Sequence, residues 1–304
     1  MAATWTAQRE RGNRFALQLL KWIALGLGRR ALQVILVPIV TYFVLFSRSS
    51  RQASENYLAR VLGRKAGWSE VWKHFYTFAL VSVDRFYFLS DRYEPFTINL
   101  NGEEVFEQAV KTKQGCILLV SHMGSFDVMR APAVKQHQLP IRILMDKQHN
   151  ARAMALLESL SPELAKGVLD SRMSAPELSL KLDACLKQGE FIGIMADRIH
   201  EGDKAESVAF LGGEASLPTG PWLLSMVLKA PVILCFGLYK GNGQYDVFFE
   251  RIDQHLNVPR KQRNQALQQA MAYYASRLEF YIKQAPYNWF NFYEFWSNES
   301  SSNN

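Results

Sequence analysis

From residue 96 onward, short apolar runs alternate with longer amphipathic segments, and this alternation constrains the fold of the 304-residue chain more than any other feature. The apolar runs are typical of strands, which we expect at residues 97–100, 117–121, 141–145, 191–195, 232–236 and 245–251. Helical periodicity predicts helices at residues 125–136, 151–159, 175–187, 218–228 and 260–283. Alternating strands and helices predict an α/β fold, in which a mainly parallel sheet has helices on both faces.

The excess of positive charge lies at the start of the chain. The net charge is +7, and the first 70 residues contribute +8 from eleven basic and three acidic residues, so the remaining residues sum to −1. The same region is the most apolar, with runs at residues 22–28 and 31–46 on either side of Arg29 and Arg30. As a helix, the second run spans about 24 Å, somewhat less than the ~30 Å hydrocarbon core of a bilayer, and Pro38 is expected to kink it.

Three interpretations compete for this region. The arginines fit a signal peptide poorly, whereas a buried core helix and a monotopic or barely spanning membrane anchor both fit the apolar runs. The anchor is favoured because its flanking arginines can contact anionic lipid headgroups. Nucleic-acid binding is not expected, since the basic residues alternate with aliphatic runs. We expect an anchor region at residues 1–50, an α/β domain with a helical N-terminal part at 51–296, and a disordered tail at 297–304.

The three cysteines, Cys116, Cys185 and Cys235, are far apart and lie in apolar runs. This pattern predicts reduced, buried thiols in a cytosolic compartment and no disulfide framework. The His, Asp and Glu residues show no metal-ligand spacing, so neither a metal nor a cofactor is expected.

The strongest candidate for a catalytic site is residues 116–127, with the sequence CILLVSHMGSFD. An apolar run ends at Ser121 and His122, and Asp127 follows after four intervening residues. Chemistry in parallel sheets gathers at the carboxyl ends of strands, and an imidazole with a pKa of about 6.5 can take a proton from a hydroxyl near neutral pH. We expect His122 to be a general base and Asp127 to hold its other ring nitrogen. A histidine that caps a helix is the alternative.

Two further polar clusters follow predicted strands. The segment IGIMADR is an apolar run that ends in Asp197 and Arg198, the same geometry as the segment that ends at His122, and a helix or turn cap is the alternative for Asp197. After the strand near residue 145 come Lys147, Asn150 and Arg152, which either add polar and cationic groups to a site or are solvated surface residues.

The segment FLGGEASLPTGP precedes a predicted helix. Gly212 and Gly220 allow backbone to approach a ligand, and Thr219 can cap the helix that follows. Exposed N–H groups at the start of that helix would suit an anion or an oxyanion. A tight turn before a helix gives the same pattern.

In combination these segments resemble a known family. The order SHMGSFD, GIMADR, FLGGEASLPTGPWLLS and APVIL is similar to that of the bacterial lipid A biosynthesis acyltransferases, within the glycerolipid acyltransferase superfamily and its His-x-x-x-x-Asp/Glu motif. The resemblance covers nearly the whole chain, including ASENYLARVLG and the aromatic segment PYNWFNFYEFW. It implies transfer of a fatty acyl group from an acyl carrier protein thioester to a hydroxyl of an envelope lipid, at the cytoplasmic face of the cell inner membrane.

The resemblance implies that His122 is the base, that Asp127 orients it, and that Asp197 and Arg198 shape a substrate pocket lined by residues 212–220. Two positions depart from the family pattern. Asp127 stands where lipid A acyltransferases often have glutamate, and Lys147 stands where they tend to have arginine. Because lysine lacks bidentate phosphate recognition, an aryl-polyene lipid or another envelope lipid is an alternative acceptor. A hydrolase that uses the same site would look alike from sequence. A lipid-binding protein with a lapsed site is a further alternative, and intact His122, Asp127 and Asp197 count against it.

Overall fold

The computed structural model describes residues 22, 23, 26, 28–130, 140–200, 202–252, 256 and 258–296. The helices in these residues are α1 (Arg29–Phe46), α2 (Arg48–Leu62), α3 (Trp68–Leu89), α4 (Glu103–Lys111), α5 (Ala151–Leu160), α6 (Pro162–Lys166), α7 (Ala175–Lys187), α8 (Gly220–Leu228) and α9 (Arg263–Gln284). The strands are β1 (Thr97–Asn101), β2 (Ile117–Val120), β3 (Ile141–Met145), β4 (Val168–Asp170), β5 (Phe191–Met195), β6 (Ala205–Phe210), β7 (Gly213–Pro218), β8 (Val232–Gly241) and β9 (Gln244–Arg251). Turns of 3-10 helix lie at Asp127–Met129 and Arg260–Gln262.

Seven strands form one sheet in the order β1-β9-β8-β2-β5-β3-β4. Neighbouring strands are parallel except β8 and β9, which form an antiparallel pair. Alternate residues of β2 enter two separate cores: Ile117 and Leu119 pack in the core that includes α7, α8 and α9, whereas Leu118 and Val120 pack in the core that includes α3 and α4. The predicted α/β fold, with a mainly parallel sheet and helices on both faces, is confirmed.

The strands that carry the candidate site are the most buried ones. All four residues of β2 are buried, and in β5 only Met195 is partly exposed. Continuous apolar runs of this kind are typical of parallel strands that are covered on both faces. By contrast, the edge strand β1 has no buried residue. The sequence therefore directs β2 and β5 to the centre of the sheet, where their carboxyl ends lie side by side.

Some elements differ from the sequence prediction. The sequence indicates either a ligand loop or a tight turn within residues 210–221, whereas in the structure residues 205–218 form the antiparallel hairpin of β6 and β7 outside the main sheet. Leu211 and Gly212 have φ of 49° and 74°, and two residues with positive φ are what a two-residue type I′ hairpin turn requires. The periodicity does not predict α4 or β4. Of the helix expected at 125–136, the structure has the 3-10 turn, while residues 131–139 lie outside the described residues.

Helix α1 packs along its whole length against the rest of the domain. One residue per turn on its inner face is 0–3% exposed: Leu32, Leu36, Val40 and Val44. At its start, the guanidinium of Arg29 donates hydrogen bonds to both carboxylate oxygens of buried Asp84, at 2.8 and 3.0 Å. Among the described helices, α1 is the one whose length and apolar composition would allow it to cross a membrane. The expected tail at residues 297–304 lies outside the described residues.

Candidate active site

His122 and Asp197 meet because two neighbouring parallel strands end in register. In the ladder of β2 and β5, Val120 lies opposite Met195, so each of the two site residues comes two positions after this pair. The backbone N–H of His122 donates to Asp197 Oδ2 at 2.9 Å, and the imidazole Nδ1 lies 2.9 Å from Oδ1. These two contacts fix the carboxylate relative to the ring.

Asp197 is completely buried and accepts a third hydrogen bond, from the indole Nε1 of Trp289 at 3.1 Å. Burial raises the pKa of a carboxylic acid, but the interactions with His122 and the charge of Arg198 outweigh burial and hold the pKa of Asp197 at about 2. Asp197 is therefore a carboxylate at neutral pH, and it can stabilise a positive charge on the neighbouring ring.

His122 is neutral at pH 7. Burial lowers its pKa below 6.5, the charge of Arg198 lowers it further, and the carboxylate of Asp197 opposes the shift only in part. Because a carboxylate only accepts hydrogen bonds, Nδ1 carries the ring proton and Nε2 has a free lone pair. The side chain is 30% exposed, and in the described part of the chain Nε2 has no hydrogen-bond partner. An accessible basic nitrogen of this kind is what general-base catalysis requires.

The turn after His122 approaches β8 so closely that no side chain fits between them. Gly124 has a φ of +60°, and a Cβ at this position would lie 1.9 Å from the carbonyl oxygen of Gly237. A Cβ on Gly237 would lie 2.3 Å from the carbonyl oxygen of Ser125. Glycine is therefore required on both sides of this contact.

The C-terminal segment, residues 286–296, holds the same turn from the other side. Trp289 forms an antiparallel bridge with Met123, and the N–H of Phe290 donates to the carbonyl oxygen of His122 at 3.0 Å. The side-chain oxygen of Asn288 accepts from the N–H of Tyr239 at 2.7 Å, and its amide nitrogen donates to the Tyr239 carbonyl at 3.0 Å. Residues 286–296 thus hold the turn after His122 against β8.

Asp127 has a different partner from the one that the sequence predicts. Its Oδ2 accepts from Nε of Arg85, on α3, at 2.6 Å, and no hydrogen bond joins it to His122 within the described residues. The charged groups that shift the pKa of His122 are Arg198, Asp197 and His200, and not Asp127. The expected contact between Asp127 and the imidazole is corrected to one between Asp197 and the imidazole. The physical reason is that Asp127 begins a 3-10 turn that packs on α3, while Asp197 leaves the adjacent strand level with the ring.

Two cationic residues from the sequence prediction lie at the same edge of the sheet. In the ladder of β3 and β5, Leu144 lies opposite Ile194, so Lys147 and Asp197 each come three positions later. Lys147 is half-buried. Arg198 donates from Nη2 to the carbonyl oxygen of Phe290 at 2.6 Å, and its guanidinium lies 5.6 Å from the centre of the Tyr293 ring. The register therefore brings an imidazole, a carboxylate and two cationic side chains to one edge of the sheet.

Asn150 and Arg152 lie at the start of α5, beyond the same strand. The Asn150 amide donates to the carbonyl oxygen of Asp146 at 2.9 Å, which closes the turn between β3 and the helix. Arg152 is half-buried in the first turn of α5. Substrate binding by either residue remains a prediction.

The glycine segment has the contacts of a turn and a hairpin. The N–H of Leu211, next to Gly212, donates to the carboxylate of Glu279 on α9 at 2.9 Å. The hydroxyl of Thr219 donates to the carbonyl oxygen of Lys204 at 3.1 Å and does not cap α8, which begins at Gly220. These contacts match the second interpretation of the segment, a tight turn before a helix.

Sequence reasoning does not single out Arg85 or Trp289. Arg85 lies in a helix whose aromatic spacing indicates core packing, and Trp289 lies in an aromatic segment that carries no catalytic pattern. Nothing local in the sequence connects residue 289 with residue 197, because their contact depends on how the chain end returns to the sheet. An indole N–H that needs a buried acceptor is the one chemical signal that could have drawn attention to Trp289.

The described residues offer neither a metal site nor a reactive thiol. No group of three or more His, Cys, Asp or Glu among them could hold a metal ion. All three cysteines are free, and burial raises the pKa of Cys185 to about 11 and that of Cys235 further. The thiols of Cys185 and Cys235 are therefore protonated at neutral pH and are poor nucleophiles.

Comparison with known proteins connects this geometry to a family. A family model described as "Bacterial lipid A biosynthesis acyltransferase" matches residues 9–298, nearly the whole chain. No curated protein sequence matches the chain significantly.

Proposed function

The chain belongs to the bacterial lipid A biosynthesis acyltransferase family, and we propose that it transfers a fatty acyl group from an acyl carrier protein thioester to a hydroxyl of an envelope glycolipid. One observation carries the proposal. The imidazole of His122 has its Nδ1 bound to buried Asp197 and its Nε2 open at the carboxyl edge of the sheet. In this role His122 is the general base, and Asp197 is the residue that orients it.

The proposed step needs no other catalytic acid or nucleophile. The acceptor hydroxyl gives its proton to Nε2 as its oxygen attacks the thioester carbonyl carbon. The new C–O bond forms, the C–S bond breaks, and the imidazolium of His122 returns the proton to the departing sulfur. Asp197 stays ionised and stabilises the imidazolium while it exists. Since a thiol is already a good leaving group, no covalent acyl-enzyme is required.

The cations at the edge have roles that fit this reaction. Arg198 lies close enough to His122 to lower its pKa, so its charge also acts on the oxyanion that forms beside the ring. Lys147 lies one strand further along the edge and binds an anionic or polar group of the acceptor. Because an ammonium group binds phosphate as a point charge, Lys147 suits an acceptor that lacks a phosphate held in bidentate fashion. This favours considering an aryl-polyene or other envelope lipid beside a lipid A precursor.

We propose that the outer face of helix α1 is the surface that contacts the membrane. Its outer face exposes large apolar side chains: Val34, Val37, Ile39, Tyr42, Leu45 and Phe46. Its inner face is covered by protein along the whole helix, so lipid cannot surround α1 on all sides. We therefore place α1 in the interfacial region of the inner membrane, on the cytoplasmic face, with Arg30 and Arg48 beside anionic headgroups.

An acyl-transfer assay tests the proposed base. The full chain is incubated with an acyl carrier protein that carries a radiolabelled fatty acyl group and with lipid extracted from the inner membrane. The His122→Ala variant is expected to lose about 10²–10⁴-fold in rate, because a positioned general base is removed. The matched control is His149→Ala, which removes an exposed histidine at the same edge and should keep the wild-type rate. A wild-type rate in His122→Ala would overturn the assignment.

The same assay without lipid separates acyl transfer from hydrolysis and from simple lipid binding. A hydrolase would release free fatty acid at the full rate when the acceptor is absent, and a lipid-binding protein would consume no thioester. The proposed enzyme instead requires the acceptor. Its identity follows from mass spectrometry of envelope lipids after the gene is deleted, as the species that becomes lighter by one acyl chain.

Vesicle flotation tests the membrane surface separately. Phe46→Glu places a charge on the exposed face of α1 and should weaken binding to vesicles that contain anionic lipid, with catalysis on a soluble acceptor unchanged. Glu substitution at the exposed Leu180, which lies on α7, is the control and should not change flotation.

A further inference from the structure

A chain of hydrogen bonds continues from Asp197 into the helical N-terminal part of the domain. The indole of Trp289 donates to Asp197 at 3.1 Å, and the carbonyl oxygen of the same tryptophan lies 2.9 Å from Nε2 of His74 on α3. Nδ1 of His74 lies 2.8 Å from the hydroxyl of Ser54 on α2. Five residues from distant parts of the sequence are thus linked by hydrogen bonds, and His122 is the last residue of this series.

The direction of the bonds at His74 is fixed by chemistry. A carbonyl oxygen only accepts, so Nε2 of His74 carries the proton, and Nδ1 accepts from the Ser54 hydroxyl. Burial lowers the pKa of His74 to about 4, which keeps the ring neutral at pH 7. The side chains of Ser54 and His74 are both completely buried. Burying two polar groups is unfavourable unless both are satisfied, so an apolar pair would fill the same space more simply if packing were their only role.

The tryptophan between the two histidines is held in a single orientation. Its indole makes edge contacts with Tyr57 at 5.2 Å, Phe210 at 5.3 Å and Phe295 at 4.9 Å between ring centres. His74 adds a directional restraint on the backbone of the same residue. A small displacement of Trp289 would move its N–H away from Asp197 and leave the carboxylate held only by its two contacts with His122.

We propose that His74, acting through Trp289, is a positioning residue that keeps Asp197 and the ring of His122 aligned for the acyl-transfer step. This inference rests on the proposed role of His122 as the base. His74 touches neither substrate, and Ser54 supports it by fixing the tautomer.

The first test measures the pKa of His122 by NMR, with selectively labelled histidine and no substrate. Trp289→Phe keeps an aromatic ring but removes the donor to Asp197. The less stabilised carboxylate then attracts the imidazolium more strongly, and the pKa of His122 should rise by about one unit. The groups that face the pair are Arg198 and His200 beside the ring, and Tyr274 and Tyr293 beside the carboxylate, and the variant leaves all of them in place. An unchanged pKa in the folded variant would overturn the inference.

The second test compares two substitutions of His74 in the transfer assay. Glutamine can still donate an N–H to the carbonyl oxygen of Trp289, whereas leucine cannot. His74→Leu should lower kcat by about 10²-fold with KM unchanged, and His74→Gln should restore the rate to within about threefold of wild type. A purely structural role would lower the Tm of His74→Leu and leave the kcat of the folded enzyme unchanged, which would refute the proposal.

The two tests distinguish the ways in which the inference can fail. If His74→Leu does not fold, the titration of His122 in Trp289→Phe still tests the bond between Trp289 and Asp197 through which His74 acts, and an unchanged pKa still overturns the inference. If the wild-type chain transfers no acyl group, the proposed function is wrong, yet the same titration still shows whether Trp289 controls the state of His122.

Discussion

Asp127 and Asp197 are the two buried carboxylates that the sequence assigns to the candidate site, and they bind different partners. Asp127 is five residues from His122 in the sequence, is 2% exposed, and forms an ion pair with Arg85. Asp197 is 75 residues away, is completely buried, and binds the imidazole. In a parallel sheet, therefore, the register of neighbouring strands decides which side chains meet, and closeness in sequence does not.

The two pairs also differ in chemistry. The guanidinium of Arg85 takes no part in proton transfer, so its pair with Asp127 is a structural ion pair. The partner of Asp197 can gain and lose a proton, so that pair changes charge when the imidazolium forms. Asp127 is therefore suited to stabilising the turn after His122, and Asp197 is suited to catalysis.

The largest expected effect comes from Asp197→Asn. An amide in this position can turn its NH₂ group toward Nδ1, which forces the proton onto Nε2 and removes the basic lone pair. We expect kcat to fall by about 10⁴-fold, as the wrong tautomer does in serine proteases. Steady-state kinetics on the folded variant measure it. If Asp127→Asn lowers kcat more than Asp197→Asn does, Asp127 and not Asp197 is the carboxylate on which catalysis depends.

The next largest effect is expected at Gly124, in the turn between His122 and Asp127. In Gly124→Ala, the new Cβ would meet the carbonyl oxygen of Gly237 at 1.9 Å and the backbone would keep a positive φ. We expect a loss of about 3 kcal/mol in the free energy of unfolding, from strain and displaced backbone. Urea unfolding measures it. Gly220→Ala is the control, since a Cβ there meets nothing within 4 Å, and equal losses in both variants would refute the close approach.

A smaller effect is expected for Asp127→Asn. Arg85 is 34% exposed and remains hydrated after its partner is neutralised, so the loss in the free energy of unfolding should be about 1–2 kcal/mol. The kcat of the folded variant should fall less than tenfold, because His122 keeps Asp197. A double-mutant cycle with Arg85→Gln should give a coupling of about 1 kcal/mol. A coupling of Asp127 to His122 instead of Arg85 would contradict this assignment.

The smallest effect is the pH dependence of the wild-type enzyme. In the proposed mechanism His122 accepts a proton only when it is neutral, and burial, with the charge of Arg198, lowers its pKa below 6.5. The value of kcat/KM should therefore be constant at pH 7 and above, and should fall on acidification with a midpoint below 6.5. A pH profile of kcat/KM measures this. A midpoint above 6.5 would mean that the attraction of Asp197 outweighs burial, which would sharpen the contrast with Asp127.

Much of the fold follows from local sequence patterns. The predicted strands at residues 117–121 and 191–195 and the helix at 175–187 are confirmed with small changes at the ends, because their apolar runs and helical spacing reflect burial directly. The sequence does not predict the hairpin of β6 and β7, since its polar and small residues satisfy a turn pattern equally well. The N-terminal apolar run favours an anchor, and the structure adds that one of its faces is covered by protein.

Local patterns in the chain are enough to predict that His122 and Asp197 each follow a central strand, and the order of its motifs is enough to show the resemblance to a lipid acyltransferase family. The folded structure was needed to show that Asp197 holds the imidazole, that Trp289 binds Asp197, and that Arg85 binds Asp127. The reason is that these contacts join residues that are far apart in the sequence. Periodicity records which side of an element is buried, whereas these contacts depend on strand order, on register and on the return of residues 286–296 to the sheet, and a single sequence specifies none of these locally.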